Sequence, residues 1–268
     1  MSPSEFKIDG TRGRIVVHHW DVDDPRLVVL LSHGYGEHAR RYDHVAERLN
    51  AEGAVVYAPD HWGHGRSDGE RALAEDLEGA VSDLHLVAER AAGEHPGLPT
   101  ALVGHSMGGL IAARYAQRFG DELSALVLSG PAVGGNPDIE MLAQMDPIPD
   151  VPIDPAILSR DPAVGEAYAS DPLVYHGPFR RETLLGFGAA VTAVAEGGTF
   201  SDDLPTLWIH GEDDQLVPLV HTRPAIEAVK GARFEEKIYP GGRHESFNET
   251  NRDEVIDDVV AFLRRSVG

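Results

Sequence analysis

Short apolar runs alternate with amphipathic segments over most of the chain. Arg14 to Trp20 and Leu27 to Ser32 read as the first two well-marked strands, divided by a turn at Asp23-Asp24-Pro25. Arg41 to Ala51 carries Tyr42, Val45, Ala46 and Leu49 at helical spacing, and Ala54 to Ala58 is a further strand closed by Pro59-Asp60. Leu77, Ala80, Val81, Leu84, Val87, Ala88 and Ala91 make one long apolar face, hence a helix that ends before His95-Pro96-Gly97. Ala101 to Val103 is a strand, Leu110 to Ala116 a helix, and Ala125 to Ser129 a strand stopped by Gly130-Pro131. The rhythm then breaks. From Val133 to about Asp203 come proline pairs, acidic turns and short helical patches at Ala163 to Ala169 and Arg181 to Ala195. Alternation resumes with Thr206 to His210, Val220 to Lys230, Arg233 to Tyr239 and a final helix around Val255, Ile256, Val259, Val260, Phe262 and Leu263.

Buried strands alternating with amphipathic helices predict an α/β fold with a mostly parallel sheet covered on both faces. The irregular stretch is too long for a loop in a compact domain. It is expected to be an inserted, rather short cap over residues 133–203, with the core formed by 1–132 and 204–268.

The candidate chemistry lies where the strand at Ala101 runs into Gly104-His105-Ser106-Met107-Gly108 and then into a helix. In strand–turn–helix context, G-x-S-x-G makes a turn so tight that the serine backbone is strained and its hydroxyl stands clear of the sheet, making Ser106 the candidate nucleophile. A serine needs a base, and the base needs an acid to hold its tautomer; in such a fold the acid and then the histidine follow the serine. Leu207-Trp208-Ile209-His210-Gly211-Glu212-Asp213-Asp214 is a strand ending in an acidic loop, and Tyr239-Pro240-Gly241-Gly242-Arg243-His244-Glu245 is a later strand ending in a loop with one histidine. His244 is therefore assigned as general base and Asp214 as its acid, with Glu212 and Asp213 as rivals. The small-residue turn Ser32-His33-Gly34-Tyr35-Gly36 is expected to complete an oxyanion hole, the amides of Tyr35 and Met107 holding the charge.

Composition narrows the partners. The 268 residues carry 44 acids against 23 lysines and arginines, a formal net charge of −21, so nucleic acid and anionic membrane surfaces are poor partners. A lipid or small ester substrate would be met through apolar contact, with at most transient membrane contact through the cap. Without cysteine there is no disulfide framework or thiolate site, and none of the 14 histidines stands in H-E-x-x-H. His33, His61 and His64 are expected to brace loops by bonding backbone carbonyls. No metal is predicted, and with neither a P-loop nor a G-x-G-x-x-G after a strand, no cofactor is predicted either. No apolar run is long enough to span a membrane, and Met1 to Gly10 lacks a signal core, so a cytoplasmic protein is expected.

His33-Gly34-Tyr35-Gly36-Glu37-His38-Ala39-Arg40-Arg41-Tyr42 resembles the oxyanion segment of the bacterial-type monoacylglycerol lipases in the α/β-hydrolase superfamily. Asp60 to Ser67, the serine pentapeptide, Ser159-Arg160-Asp161-Pro162, Asp171-Pro172-Leu173-Val174 and His244 to Glu249 also resemble that family's signatures. The resemblance implies an α/β-hydrolase fold and hydrolysis of a monoacylglycerol ester to fatty acid and glycerol. It favours Asp214, which matches the family's Gly-x-x-Asp, and implies that Glu37, Arg41 and His105 lie near the polar head of the substrate. Two departures stand out. The stretch between Pro131 and Ile157 is short, with Ile139, Met141, Leu142 and Met145 as its small apolar group, and Phe247 stands where some members carry a second polar headgroup residue.

Overall fold

The computed structural model describes residues 3–267. Its strands are β1 (Ser4–Asp9), β2 (Arg14–Trp20), β3 (Leu27–Ser32), β4 (Ala54–Pro59), β5 (Thr100–His105), β6 (Ala125–Ser129), β7 (Thr206–Gly211) and β8 (Phe234–Tyr239). They form one sheet in the order β1-β2-β4-β3-β5-β6-β7-β8. β2 runs antiparallel to both β1 and β4, and every other pairing is parallel. Helices α1 (Asp43–Asn50), α2 (Leu77–Glu94), α3 (Met107–Phe119), α4 (Pro137–Leu142), α5 (Pro162–Ser170), α6 (Arg181–Glu196), α7 (Leu219–Val229) and α8 (Arg252–Val267) complete the fold.

Successive side chains of a strand point to opposite faces, so an unbroken apolar strand requires cover on both. β3 shows this residue by residue. Val28 and Leu30 enter the core under α2 and α3, while Leu27, Val29 and Leu31 enter the one under α1 and α8. The parallel strands all end at one edge, which gathers the segments after β3, β5, β6, β7 and β8 into a single region, the place where open α/β sheets bind ligands.

Two elements depart from the pattern-based reading. The first strand is β1, not the one at Arg14: only Phe6 and Ile8 of it pack on the core, so its alternation carries little apolar weight. Within the connection from β6 to β7, the short helix α4 is started by the Asn136 side chain, which accepts from the Asp138 amide. No described helix is long and apolar enough to cross a membrane.

α3 packs closely against the end of β3. A Cβ on Gly108 would stand 2.0 Å from the Ser32 carbonyl oxygen, a separation no side chain tolerates. Gly108→Ala is therefore expected to destabilise the protein by at least about 2 kcal/mol in urea unfolding. Gly93→Ala, in α2 with nothing within 4 Å of the added methyl, should instead stabilise it by about 0.5 kcal/mol.

Candidate active site

β5 passes into α3 through Ser106, whose backbone sits at φ 55°, ψ −118°. A non-glycine residue at positive φ is strained and persists only where its surroundings over-determine it. Here the Ser106 amide donates to the Ser129 carbonyl of β6, and the Ser106 carbonyl accepts from Leu110 and Ala132. Met107 is the first residue of α3, so its N–H has no acceptor within the helix. Tyr35 lies in the turn after β3; its ring stacks on Phe179 with centroids 5.3 Å apart.

The loops after β7 and β8 bring two side chains to the serine. His244 Nε2 lies 2.9 Å from Ser106 Oγ, and His244 Nδ1 lies 2.7 Å from Asp214 Oδ2. The other carboxylate oxygen of Asp214 accepts from the amides of Leu216 and Val217 at 2.9 and 2.8 Å. The three acids of this loop part company: Asp214 is buried, whereas Glu212 and Asp213 face solvent. Burial resists the charge on Asp214, but His244 and then His210 outweigh it and hold the carboxyl well below the usual carboxylate range. Burial likewise opposes protonation of His244, yet the Asp214 charge and hydrogen bond prevail and raise its pKa. His105 has no such partner. Buried against Ser129 Oγ, with the His244 ring beside it, its pKa falls to about 3.

Glu37, Arg41 and Glu245 form a buried cluster next to this row. Glu37 accepts from the Gly34 amide and the Tyr42 hydroxyl through one oxygen, and from Arg41 through the other, each at 2.6 Å. Arg41 grips both oxygens of Glu245 at 2.7 and 2.8 Å and lies over the Tyr168 ring. Burial would weaken the Arg41 charge, but Glu245 and Glu37 more than offset it and raise its pKa. The cluster thus ties the turn that carries Tyr35 to the loop that carries His244. Glu245 and His210 were not singled out from the sequence. Glu245 pairs with a residue 204 positions away, which no local pattern signals, whereas His210 was visible as a lone polar residue in an apolar strand.

These groups open on one cavity with a mainly apolar lining. Glu37, Arg41, His105, Ser106, His244 and Glu245 line it from the strand ends, with Asn136 and Glu140 as further polar lining beside Ile139. Ile139 of α4, with Leu184, Phe187 and Val191 of α6, lines it from the β6–β7 connection. Phe247 is buried against Tyr42 and takes no part in the lining. Of the loop histidines, His33 and His64 bond backbone carbonyls at 2.8 and 2.9 Å. His61 departs from expectation: its Nε2 meets a side chain, the Ser32 hydroxyl at the end of β3, at 2.8 Å. Among the described residues no group of three or more His, Asp or Glu converges as a metal site.

A sheet of this order with a strained serine between β5 and α3 defines an α/β-hydrolase. The family described as serine aminopeptidase, S33 matches residues 23–251. A monoacylglycerol lipase of Mycolicibacterium smegmatis is 42% identical over 97% of this chain and 96% of its own. Human monoglyceride lipase is 33% identical over 82% of this chain and 76% of its own. In three dimensions, a soluble variant of Saccharomyces cerevisiae monoglyceride lipase, solved with a substrate analog, superposes with a TM-score of 0.87 at 23% identity, covering 100% of this chain and 96% of that one. The chain belongs to the monoacylglycerol lipase family and is a carboxylic ester hydrolase.

The Glu37–Arg41–Glu245 cluster makes a stability prediction. Arg41→Met leaves two buried carboxylates without their cation and should cost about 3–5 kcal/mol in chemical denaturation. Arg41→Lys should recover only part of that loss, since an ammonium cannot reproduce the two-pronged grip on Glu245.

Proposed function

We propose that the protein hydrolyses monoacylglycerols to fatty acid and glycerol through an acyl-enzyme on Ser106. The observation that carries this reading is the 2.9 Å contact between Ser106 Oγ and His244 Nε2 at the polar end of an apolar cavity. As Oγ attacks the ester carbonyl, His244 takes its proton and Asp214 stabilises the resulting imidazolium. The oxyanion is received by the amides of Tyr35 and Met107. Glycerol leaves with the proton from His244, and a water activated by the same imidazole releases the fatty acid.

The cavity divides the substrate. Its apolar lining from α4 and α6 suits the acyl chain, and its polar side suits the glycerol hydroxyls, with Glu37, Arg41 and His105 as the surrounding groups. Residues 133–203 act in this reading as a cap inserted into a core of 1–132 and 204–268. Met141, Met145 and Leu185 of that segment are exposed and supply the apolar contact through which the cap meets a lipid surface transiently.

Ser106→Ala is expected to lower kcat/KM on a monoacylglycerol by about 10⁴-fold or more while the protein stays folded by circular dichroism. Asp214→Asn should cost about 10⁴-fold in kcat and Asp213→Asn nearly nothing; the opposite ranking reassigns the acid. Because the base works unprotonated and its pKa is raised, kcat/KM should fall with decreasing pH along a limb centred above the free-histidine value of about 6.5. A chain-length series of monoacylglycerols run against short aryl esters tests the substrate class, and uniformly better turnover of the aryl esters would count against it.

A further inference from the structure

Behind Asp214, in the apolar strand β7, lies a buried polar chain that the mechanism above leaves unused. The Trp208 indole donates to His210 Nδ1 at 3.2 Å. An indole N–H can only donate, so Nδ1 is the bare nitrogen and the proton of the ring sits on Nε2. From there it donates to the Val217 carbonyl at 2.9 Å, and Asp214 Oδ2 lies 3.3 Å from the same nitrogen. That carboxylate oxygen is also the one that meets His244 Nδ1. Trp208 and His210 are both wholly buried, two residues apart on one strand.

We infer that His210 is a positioning residue for ester hydrolysis: its Nε2–H, fixed in place by Trp208 and the Val217 carbonyl, stands beside the Asp214 oxygen that His244 engages and limits how basic the imidazole becomes. The inference rests on the roles proposed for Ser106, His244 and Asp214. The positive end of that N–H, 3.3 Å from Oδ2, stabilises the carboxylate charge and so weakens its pull on the His244 proton. Its bond to the Val217 carbonyl also keeps the turn from Asp214 to Val217 closed. The other charged or titratable groups facing His244 are His105 from β5, Glu245 from its own loop, and Glu37 with Arg41 from the segment after β3. None of them is altered by a change at His210.

The test is the pH dependence of kcat/KM for the whole enzyme on one monoacylglycerol. With that N–H gone, His210→Leu should move the acid limb up by about one pH unit and lower the plateau about tenfold. His210→Gln, which offers an amide N–H near the Nε2 position, should bring the limb back toward the wild-type one. Trp208→Phe removes the lock on the tautomer and should move the limb the same way as His210→Leu, by less. A folded His210→Leu enzyme with its limb unmoved or shifted downward overturns the inference. Should that variant fail to fold, Trp208→Phe decides, and a wild-type limb there overturns it as well. Ser106→Ala separates the two levels: residual wild-type turnover defeats the underlying mechanism, whereas an inactive Ser106→Ala with an unmoved His210→Leu limb defeats only the role of His210.

Discussion

The site depends on one close approach, that of the α3 backbone to the end of β3. At Gly108 the helix comes so near Ser32 that no side chain fits between them. A helix held that close leaves β5 no room to turn gradually, and the whole reversal falls on Ser106 at positive φ. Strain of this kind costs about 1–3 kcal/mol at a non-glycine residue. It is held by bonds on either side of the serine, to Ser129 from its amide and to Leu110 and Ala132 from its carbonyl. The buried face of α3, with Leu110, Ile111 and Ala113, anchors the helix to the sheet. The same reversal starts α3 at Met107, directly after the serine, so the first amides of the helix have no acceptor within it. Position and electrostatics therefore follow from a single packing contact.

Charge is treated differently inside and outside. The net charge of −21 belongs mostly to a solvated surface, where acids repel one another weakly. The acids taken into the site are each matched to donors. Asp214 accepts from two amides of its own turn, the pattern that lets an aspartate shape a loop, while its second oxygen faces His244. Glu37 does the same for the turn after β3 through the Gly34 amide. In both cases one carboxylate fixes the backbone of a loop and polarises the site at once. Removing the acid would disturb geometry and charge together, which is why isosteric amides are the informative replacements.

What could be read in the sequence follows from how locally each feature is determined. β3 to β7 were legible because a strand buried on both faces has to be apolar throughout, and the elbow because its glycines are forced by contact. β1 was not, since an edge strand needs only Phe6 and Ile8 inward, and α4 was not, being too short to show a period. Glu212, Asp213 and Asp214 have nearly the same chemistry and adjoin one another, so spacing alone could not rank them; burial and the bond to His244 do. The Arg41–Glu245 pair closes a gap of 204 residues and exists only once the sheet has assembled. His210 lay between these cases. A histidine in a buried, largely apolar strand signals that a partner exists, but the carboxylate it lies beside belongs to the loop after the strand.

The cavity joins two parts of the chain with different constraints. Its polar side is built from strand ends and the turns that follow them, whose positions are locked by the sheet register and by bonds between loops. Its apolar lining comes largely from α4 and α6, in the connection from β6 to β7; Thr183 and the last turn of α6 are tied to the core by hydrogen bonds, but the lining side chains themselves are held by packing. Packing tolerates changes of shape and volume far better than a buried ionic cluster tolerates loss of a partner. Substitutions at Ile139, Leu184, Phe187 or Val191 can therefore reshape the cavity while Ser106, His244 and Asp214 keep their distances. The fold separates what the enzyme does to an ester from which ester it accepts.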